Sequence, residues 1–155
     1  MPSETLVREI MSSPATCFGP STDLLEAAAT LFDNNWAGAP VLDGEELVGV
    51  ITLTDLVELR RTVHTPAAFI LFDALLYLGS RRFEKELKKV SAMTVGEAMT
   101  KNPRTVGPNE PVSEVASLMA DERLTTVPVV EDGRVVGIVG RRDVIALILG
   151  RSRGA

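Results

Sequence analysis

The sequence predicts an α+β fold in which two β-α-β-β-α repeats pack about a pseudo-twofold axis into one globule, with a helical linker between them. The 155-residue chain aligns with itself over residues 5–60 and 93–150, and residues 61–92 separate the two segments. Because a unit of about 55 residues is too small to bury its sheet alone, we expect the repeats to pack against each other. A content of 45% hydrophobic but only 5% aromatic residues predicts a mainly aliphatic interior.

The two repeats are related by an internal duplication. Arg8–Ser12 matches Gly96–Thr100 at an offset of 88 residues. The offset is 89 at the Pro-x-Thr sequences and returns to 88 at Gly19–Pro20 and Gly107–Pro108. Further identities are Glu26/Glu114, Ala28/Ala116, Asp33/Asp121, Pro40/Pro128, Val41/Val129, Val48/Val136, Gly49/Gly137 and Asp55/Asp143. Compensating shifts and identities spread along the whole unit are hard to produce by chance.

The first elements of each repeat follow from apolar spacing. We expect a short helical turn ending near Met11 or Met99. A brief extended piece should follow in each repeat, at residues 16–17 and 105–106, and then a helix over residues 23–34 and 111–123. In the second of these helices, Val112, Val115, Ala116 and Met119 recur at helical spacing.

The second half of each repeat predicts a hairpin and a helix. Residues 39–42 and 47–51 are apolar runs around an Asp-Gly turn, as are residues 127–130 and 135–139. The last helices are expected over residues 53–59 and 141–149.

The segment between the repeats, residues 61–92, predicts two linker helices. One begins after Pro66 and ends at Gly79, and the other carries apolar residues from Phe83 to Val90. These helices are expected to cover the sheet, to contact another subunit, or to do both.

Composition excludes several classes of protein. A net charge of −5 and a pI near 4.9 argue against a nucleic-acid-binding surface. No apolar run reaches the roughly 18 residues of a membrane span, and the N-terminus lacks a secretory signal pattern. The single cysteine, Cys17, and single histidine, His64, exclude an internal disulfide and leave little material for a metal site or catalytic triad. We therefore expect a cytoplasmic protein that is not an enzyme and requires no cofactor.

One ordered set of residues occurs in both repeats. Gly49–Asp55 reads GVITLTD, and Gly137–Asp143 reads GIVGRRD. An Ala-Pro-Val or Val-Pro-Val triplet precedes each string, and each repeat opens with Met-Ser or Met-Thr followed by Pro-x-Thr. This set resembles the CBS (cystathionine β-synthase) domain family, and the tandem copies are similar to a CBS pair, or Bateman module, of the stand-alone prokaryotic type.

The resemblance implies a regulatory module that binds AMP, ADP, ATP or S-adenosylmethionine in two clefts. In the family, each cleft combines the G-x-x-T/S-x-x-D segment of one repeat with the early threonine strand and the pre-proline residues of the other. The aspartate holds the ribose hydroxyls, and the threonine or serine hydroxyls lie beside the phosphate. The resemblance also implies a homodimer that signals to a separate, unknown effector protein.

Carried onto this sequence, the resemblance implies two sets of site residues. The first cleft comprises Thr52, Thr54, Asp55, Thr105, Leu124, Thr125 and Thr126. The second cleft comprises Gly140, Arg141, Arg142, Asp143, Thr16, Trp36, Ala37 and Gly38. Trp36 could stack on a base or simply pack beside a strand. The uncharged residues before each proline argue against tight polyphosphate binding.

The same positions can be interpreted from their chemistry. Thr52 and Asp55 fit a helix capping box, and a carboxylate at a helix start also suits a ribose diol. Gly140 lacks the cap hydroxyl, and Arg141 and Arg142 follow it in the first turn of the expected helix. Cations at a helix start oppose the helix dipole unless an anion is bound there. These arginines either bind phosphate or pair with nearby acids such as Glu131 or Asp132. The first cleft therefore suits a monophosphate or nucleoside, and the second more negative charge.

Three classes of function are compatible with these patterns. A sensor of adenosyl ligands is favoured because both repeats keep the aspartate. A ligand-free dimerisation or scaffold module is the alternative, in which Thr52 and Asp55 only cap a helix. The third class, an enzyme of nucleotide metabolism, is disfavoured because the sequence contains no recognisable nucleophile–base pair and no complete P-loop.

Overall fold

The computed structural model describes residues 4–13, 16–62 and 93–151, with the backbone alone for residues 59–62. Its helices are α1 (Val7–Ile10), α2 (Leu24–Asp33), α3 (Leu53–Thr62), α4 (Val95–Ala98), α5 (Val112–Glu122) and α6 (Arg141–Ile148). Its strands are β1 (Gly38–Asp43), β2 (Glu46–Thr52), β3 (Thr100–Lys101), β4 (Thr126–Glu131) and β5 (Arg134–Gly140). This mixture confirms the predicted α+β class. Both predicted linker helices, and His64, lie outside the described residues.

The two repeats fold alike, element by element. In the first hairpin, β1 and β2 are antiparallel with Gly38 opposite Thr52, and in the second, Thr126 lies opposite Gly140. Each hairpin has the same register irregularity, after Val41 and after Val129 respectively. In the second hairpin turn both central residues, Asp132 and Gly133, adopt positive φ, the conformation that matches the twist of paired strands.

The first strand of each repeat is shorter than its sequence suggests. Residues 16–17 and 105–106 form no strand, and each repeat instead makes one parallel bridge at or next to these residues. These bridges are Phe18–Val41 and Val106–Val129. In both repeats a Gly-Pro pair follows at once, and because proline has no N–H, the pairing cannot continue.

The two repeats exchange their opening segments. Residues 4–13 lie on the second repeat, where the Val7 N–H donates to the Glu110 carbonyl at 2.9 Å. In the equivalent contact, residues 93–101 lie on the first repeat and the Val95 N–H donates to the Thr22 carbonyl, also at 2.9 Å. Strand β3 belongs to the second repeat but pairs with β2 of the first.

Two buried clusters result, and each contains residues from both repeats. The first comprises Leu24, Ala27, Leu31, Ala39, Val41, Ile51 and Val95. The second comprises Val7, Val106, Val112, Val115, Met119, Val127, Val129, Val139 and Val144. Because Val7 and Val95 are fully buried in the other repeat's cluster, neither repeat completes its core alone. Within the described parts of the chain, no helix has the length and apolar character needed to cross a bilayer.

A methionine from each repeat packs on a glycine of the other. A Cβ atom added at Gly137 would lie 2.6 Å from the Met11 sulfur and 2.8 Å from the Ser12 carbonyl oxygen. At Gly49, the same distances apply to the Met99 sulfur and the carbonyl oxygen of Thr100. The glycines therefore match between the repeats because a backbone segment of the opposite repeat lies directly against them.

We expect Gly49→Ala and Gly137→Ala each to lower the free energy of unfolding by about 1–3 kcal/mol, because the new methyl group overlaps a backbone carbonyl. Gly19→Ala is the matched control, since the nearest atom to its Cβ is 3.7 Å away. Urea denaturation followed by circular dichroism measures all three variants. Equal stability of the three would contradict the close packing at the two glycines.

Candidate functional site

Two clefts lie where the repeats meet, and each is lined by residues from both of them. The first cleft opens at the start of α3 and has a volume of about 350 Å³. The second opens at the start of α6 and has a volume of about 490 Å³. Because the repeats are related by the duplication, each cleft places equivalent helix starts opposite equivalent segments of the other repeat.

The second cleft brings together all eight residues assigned to it from the sequence. These are Thr16, Trp36, Ala37, Gly38, Gly140, Arg141, Arg142 and Asp143. The structure adds Ser12, Asn35, Ala39, Thr125, Thr126 and Ile138. Ser12 reaches this cleft through the exchange of segments, since its backbone pairs with Ile138 of the opposite repeat. A binding role for these residues stays a prediction.

The first cleft brings together Thr52, Thr54, Asp55, Leu124, Thr125 and Thr126 but not Thr105. Thr105 is exposed outside the cleft wall. Asn102, the extra residue of the second repeat, adopts φ 51°, and residues 102–104 form the wall instead. The inserted residue thus displaces the threonine that aligned with Thr16.

Several charged residues of the first cleft were missed from the sequence. The structure adds Val50, Glu58, Thr100, Asn102, Pro103, Arg104, Glu122 and Arg123. Arg123 aligns with Asn35 of the second cleft, and both adopt a positive φ after their helix. That equivalence was the available signal for Arg123.

Thr52 and Asp55 form the capping box that their spacing predicts. The Thr52 N–H donates to Asp55 Oδ2 at 2.8 Å, and the Asp55 N–H donates to Thr52 Oγ1 at 3.2 Å. Burial raises the pKa of Asp55, and the hydrogen bonds from Thr52 offset that rise only in part. A half-buried carboxylate therefore faces the first cleft, next to a helix start.

The equivalent helix start in the second cleft keeps only half of this arrangement. The Gly140 N–H donates to Asp143 Oδ2 at 2.8 Å, but Gly140 has no side-chain hydroxyl to accept a hydrogen bond from the Asp143 N–H. A Cβ atom at Gly140 would be 3.7 Å from Asp143 Oδ2 and 3.8 Å from the Thr125 carbonyl oxygen, so the space for a serine exists. Steric crowding is therefore not the reason for the glycine.

The two arginines after Gly140 behave differently. Arg141 Nε donates to the Leu124 carbonyl at 2.7 Å, and its N–H donates to the Thr125 carbonyl at 3.1 Å. Arg141 thus ties the second cleft to a segment that also lines the first. Arg142 is exposed, and no hydrogen bond or ion pair joins it to the residues that the structure describes. Among those residues, neither arginine pairs with Glu131 or Asp132.

Thr125 and Thr126 line both clefts, at a place where the two repeats are in close contact. Their hydroxyl oxygens lie 3.4 Å apart. A Cβ atom at Gly38 would be only 2.7 Å from Thr126 Oγ1, so the first repeat needs glycine at the position equivalent to Thr126.

Other candidate groups offer little chemistry. Trp36 is 38% exposed at the second cleft, which leaves an aromatic face available there. Burial raises the pKa of the Cys17 thiol, which disfavours the thiolate. The described ranges contain no group of three or more histidine, cysteine or acidic residues placed to hold a metal ion.

Comparison with known proteins identifies the family. The family model of the CBS domain matches residues 7–61 and 95–150. The protein MJ1426 of Methanocaldococcus jannaschii is 28% identical over 93% of this chain and 91% of its own length. An L-aspartate semialdehyde sulfurtransferase of the same organism is 32% identical over 95% of this chain, which spans 24% of that protein.

Solved structures agree with this assignment. The CBS domain pair of protein MJ0100, in complex with 5′-methylthioadenosine and S-adenosylmethionine, has a TM-score of 0.67 and 31% identity, with 95% of this chain and 98% of that chain covered. CBSX2, a protein of Arabidopsis thaliana solved in complex with AMP, has a TM-score of 0.67 and 26% identity, with 94% and 96% covered.

The chain therefore belongs to the CBS domain family, and its two repeats form a tandem CBS pair. CBS pairs are regulatory ligand-binding modules and are generally not catalytic, although some relatives carry them fused to enzymes. The clefts between the repeats are the candidate ligand sites of this module.

The raised pKa of Asp55 predicts a pH-dependent stability. Because its pKa in the folded protein exceeds the unfolded value, its favourable contribution is complete below the unfolded pKa and is lost as pH rises through the folded pKa. We expect Asp55→Asn, which cannot ionise, to gain stability relative to the unmodified protein as the pH rises above about 4, the ordinary pKa of an aspartate. Urea denaturation at several pH values measures this.

Asp23→Asn is the control for that experiment, because Asp23 also caps a helix through its carboxylate, accepting from the Leu25 N–H at 2.9 Å. A difference between Asp55→Asn and the unmodified protein that stays constant with pH would contradict the shift in the pKa of Asp55.

Proposed function

We propose that this protein is a sensor of adenosyl ligands, such as AMP, ADP, ATP or S-adenosylmethionine, that signals to a separate effector protein. The observation that carries the proposal is the pair of inter-repeat clefts, each with an aspartate, Asp55 or Asp143, in the first turn of a helix. The ligands of MJ0100 and CBSX2, two CBS proteins that align with nearly the whole chain, support the adenosyl class.

The lining residues suit the parts of such a ligand. An aspartate carboxylate can accept hydrogen bonds from both ribose hydroxyls. The positive end of the helix dipole at the start of α3 or α6 favours an anionic group. Trp36 offers an aromatic face to a base in the second cleft. All these groups belong to segments held by contacts between the repeats, so a bound ligand would favour one relative placement of the repeats over another.

A ligand-free scaffold is the second candidate, and one observation favours it. The Asp55 carboxylate already accepts from the Thr52 backbone N–H, and the Thr52 hydroxyl oxygen accepts from the Asp55 backbone N–H. For this cleft, the structural role of the two residues is sufficient to explain their presence.

We expect isothermal titration calorimetry to detect micromolar binding of at least one of AMP, ADP, ATP and S-adenosylmethionine. Asp55→Ala and Asp143→Ala should weaken or abolish binding in their own clefts because the ribose loses its acceptor. Asp43→Ala, at the exposed end of β1 and outside both clefts, is the matched control. No heat from any of the four ligands on folded protein would reject the sensor and leave the scaffold.

We also propose a cytoplasmic homodimer, in which a second copy packs on α3 and α6. Val57 and Ile145 occupy equivalent positions on these helices and are 66% and 51% exposed, and Ile148 is 76% exposed. Apolar side chains at pseudo-twofold positions suit an interface that pairs with itself. The effector would then be reached through a surface of this dimer.

Sedimentation equilibrium should show a dimer, and Ile148→Glu should shift it to monomer because a charge is buried in the contact. Glu114→Gln on α5 is a control for surface changes in charge. A monomeric unmodified protein at every concentration tested would reject the homodimer.

A further inference from the structure

The two clefts differ in charge although their backbones are equivalent. Acidic residues dominate the first cleft, whose charged lining consists of Asp55, Glu58, Glu122, Arg104 and Arg123. Its net formal charge is therefore −1. The charged lining of the second cleft consists of Arg141, Arg142 and Asp143, which gives +1. A difference of two charges between the two sites is enough to sort ligands by their own charge.

One cation of the first cleft is already neutralised. Arg104 Nε lies 2.9 and 3.0 Å from the two carboxylate oxygens of Glu122, and its terminal nitrogen lies 2.6 Å from one of them. The hydrogen bonds and charge of Arg104 hold the pKa of Glu122 below its usual range. A phosphate entering this cleft would have to displace Glu122 from Arg104 while lying near Glu58 and Asp55.

The second cleft presents the opposite situation. Arg142 contacts no acid within the described residues, and it lies in the first turn of α6, at the positive end of the helix dipole. Arginine at a helix start is unfavourable by itself, and an anion held between the guanidinium and the helix dipole removes that penalty. The second cleft is also larger by about 140 Å³, which leaves room for a phosphate.

From these charges we infer that the clefts take different adenosyl ligands: the second binds a phosphorylated one, and the first a ligand whose tail is uncharged or cationic, such as a thioether or a sulfonium. This inference rests on the proposed function and sharpens it, because it assigns a ligand class to each cleft. It also revises the expectation that the first cleft suits a monophosphate, because Glu58 and Glu122 line that cleft.

The chain contains its own reporter for this assignment. Its single tryptophan, Trp36, lines the second cleft and not the first. Fluorescence of Trp36 therefore follows occupation of the second cleft, whereas calorimetry follows both clefts. The probes are AMP for the phosphorylated class, S-adenosylmethionine for the cationic class and adenosine for the uncharged class.

We expect AMP to bind once per chain and to change Trp36 fluorescence. Arg142→Gln should weaken that binding by about tenfold, as expected for loss of a charged phosphate contact, whereas Arg142→Lys should largely retain it. Adenosine binding should be unaffected by either change. Arg134→Gln, at the start of β5 and outside both clefts, is the control for loss of a surface cation. S-adenosylmethionine should release heat without changing Trp36 fluorescence.

Glu122→Gln provides the opposite test in the first cleft. Because it releases Arg104 and removes a negative charge, AMP should gain a second binding event that calorimetry detects and Trp36 fluorescence does not. Thermal melts confirm that each variant is folded. AMP binding that is insensitive to Arg142→Gln, or S-adenosylmethionine binding that is reported by Trp36, would overturn the assignment of ligands. A complete absence of binding by all three probes would instead reject the proposed function.

Discussion

The contact on which the rest of the structure depends is the packing of each repeat's opening segment against the other repeat. Met11 and Met99 lie against Gly137 and Gly49, and the adjacent backbone carbonyls approach so closely that no side chain fits between. The buried Val7 and Val95 enter the opposite cluster through the same exchange. A repeat of about 55 residues cannot bury enough apolar surface alone, so the exchange couples the folding of the two halves.

The clefts are a consequence of this packing. Gly38 lies close against Thr126 between the repeats, and a cleft lies at the start of the last helix of each repeat. Thr125 and Thr126 belong to both clefts, and Arg141 joins the second cleft to the carbonyl of Leu124 in the first. A ligand bound in one cleft would therefore contact residues that also line the other cleft. Ligand binding at the two clefts would then be energetically coupled.

The two clefts contain unequal chemistry because the repeats differ at single residues. Gly140 has no hydroxyl where Thr52 completes a capping box, and this difference has no steric cause. The additional residue Asn102 turns the chain so that Arg104, rather than Thr105, faces the first cleft. These differences alter the charge and the hydrogen-bonding groups of the clefts, the properties that select a ligand.

Sequence alone determined the duplication, the helices of the two repeats, both hairpins and about half of the residues that line the clefts, because these depend on local periodicity, turn chemistry and motifs that occur twice. It did not reveal that residues 4–13 lie on the opposite repeat, nor that Glu58 and Glu122 line the first cleft. Those facts depend on contacts between residues about one hundred positions apart in the chain. Only tertiary packing decides which equivalent surfaces meet, since each local pattern is satisfied equally well before the repeats come together.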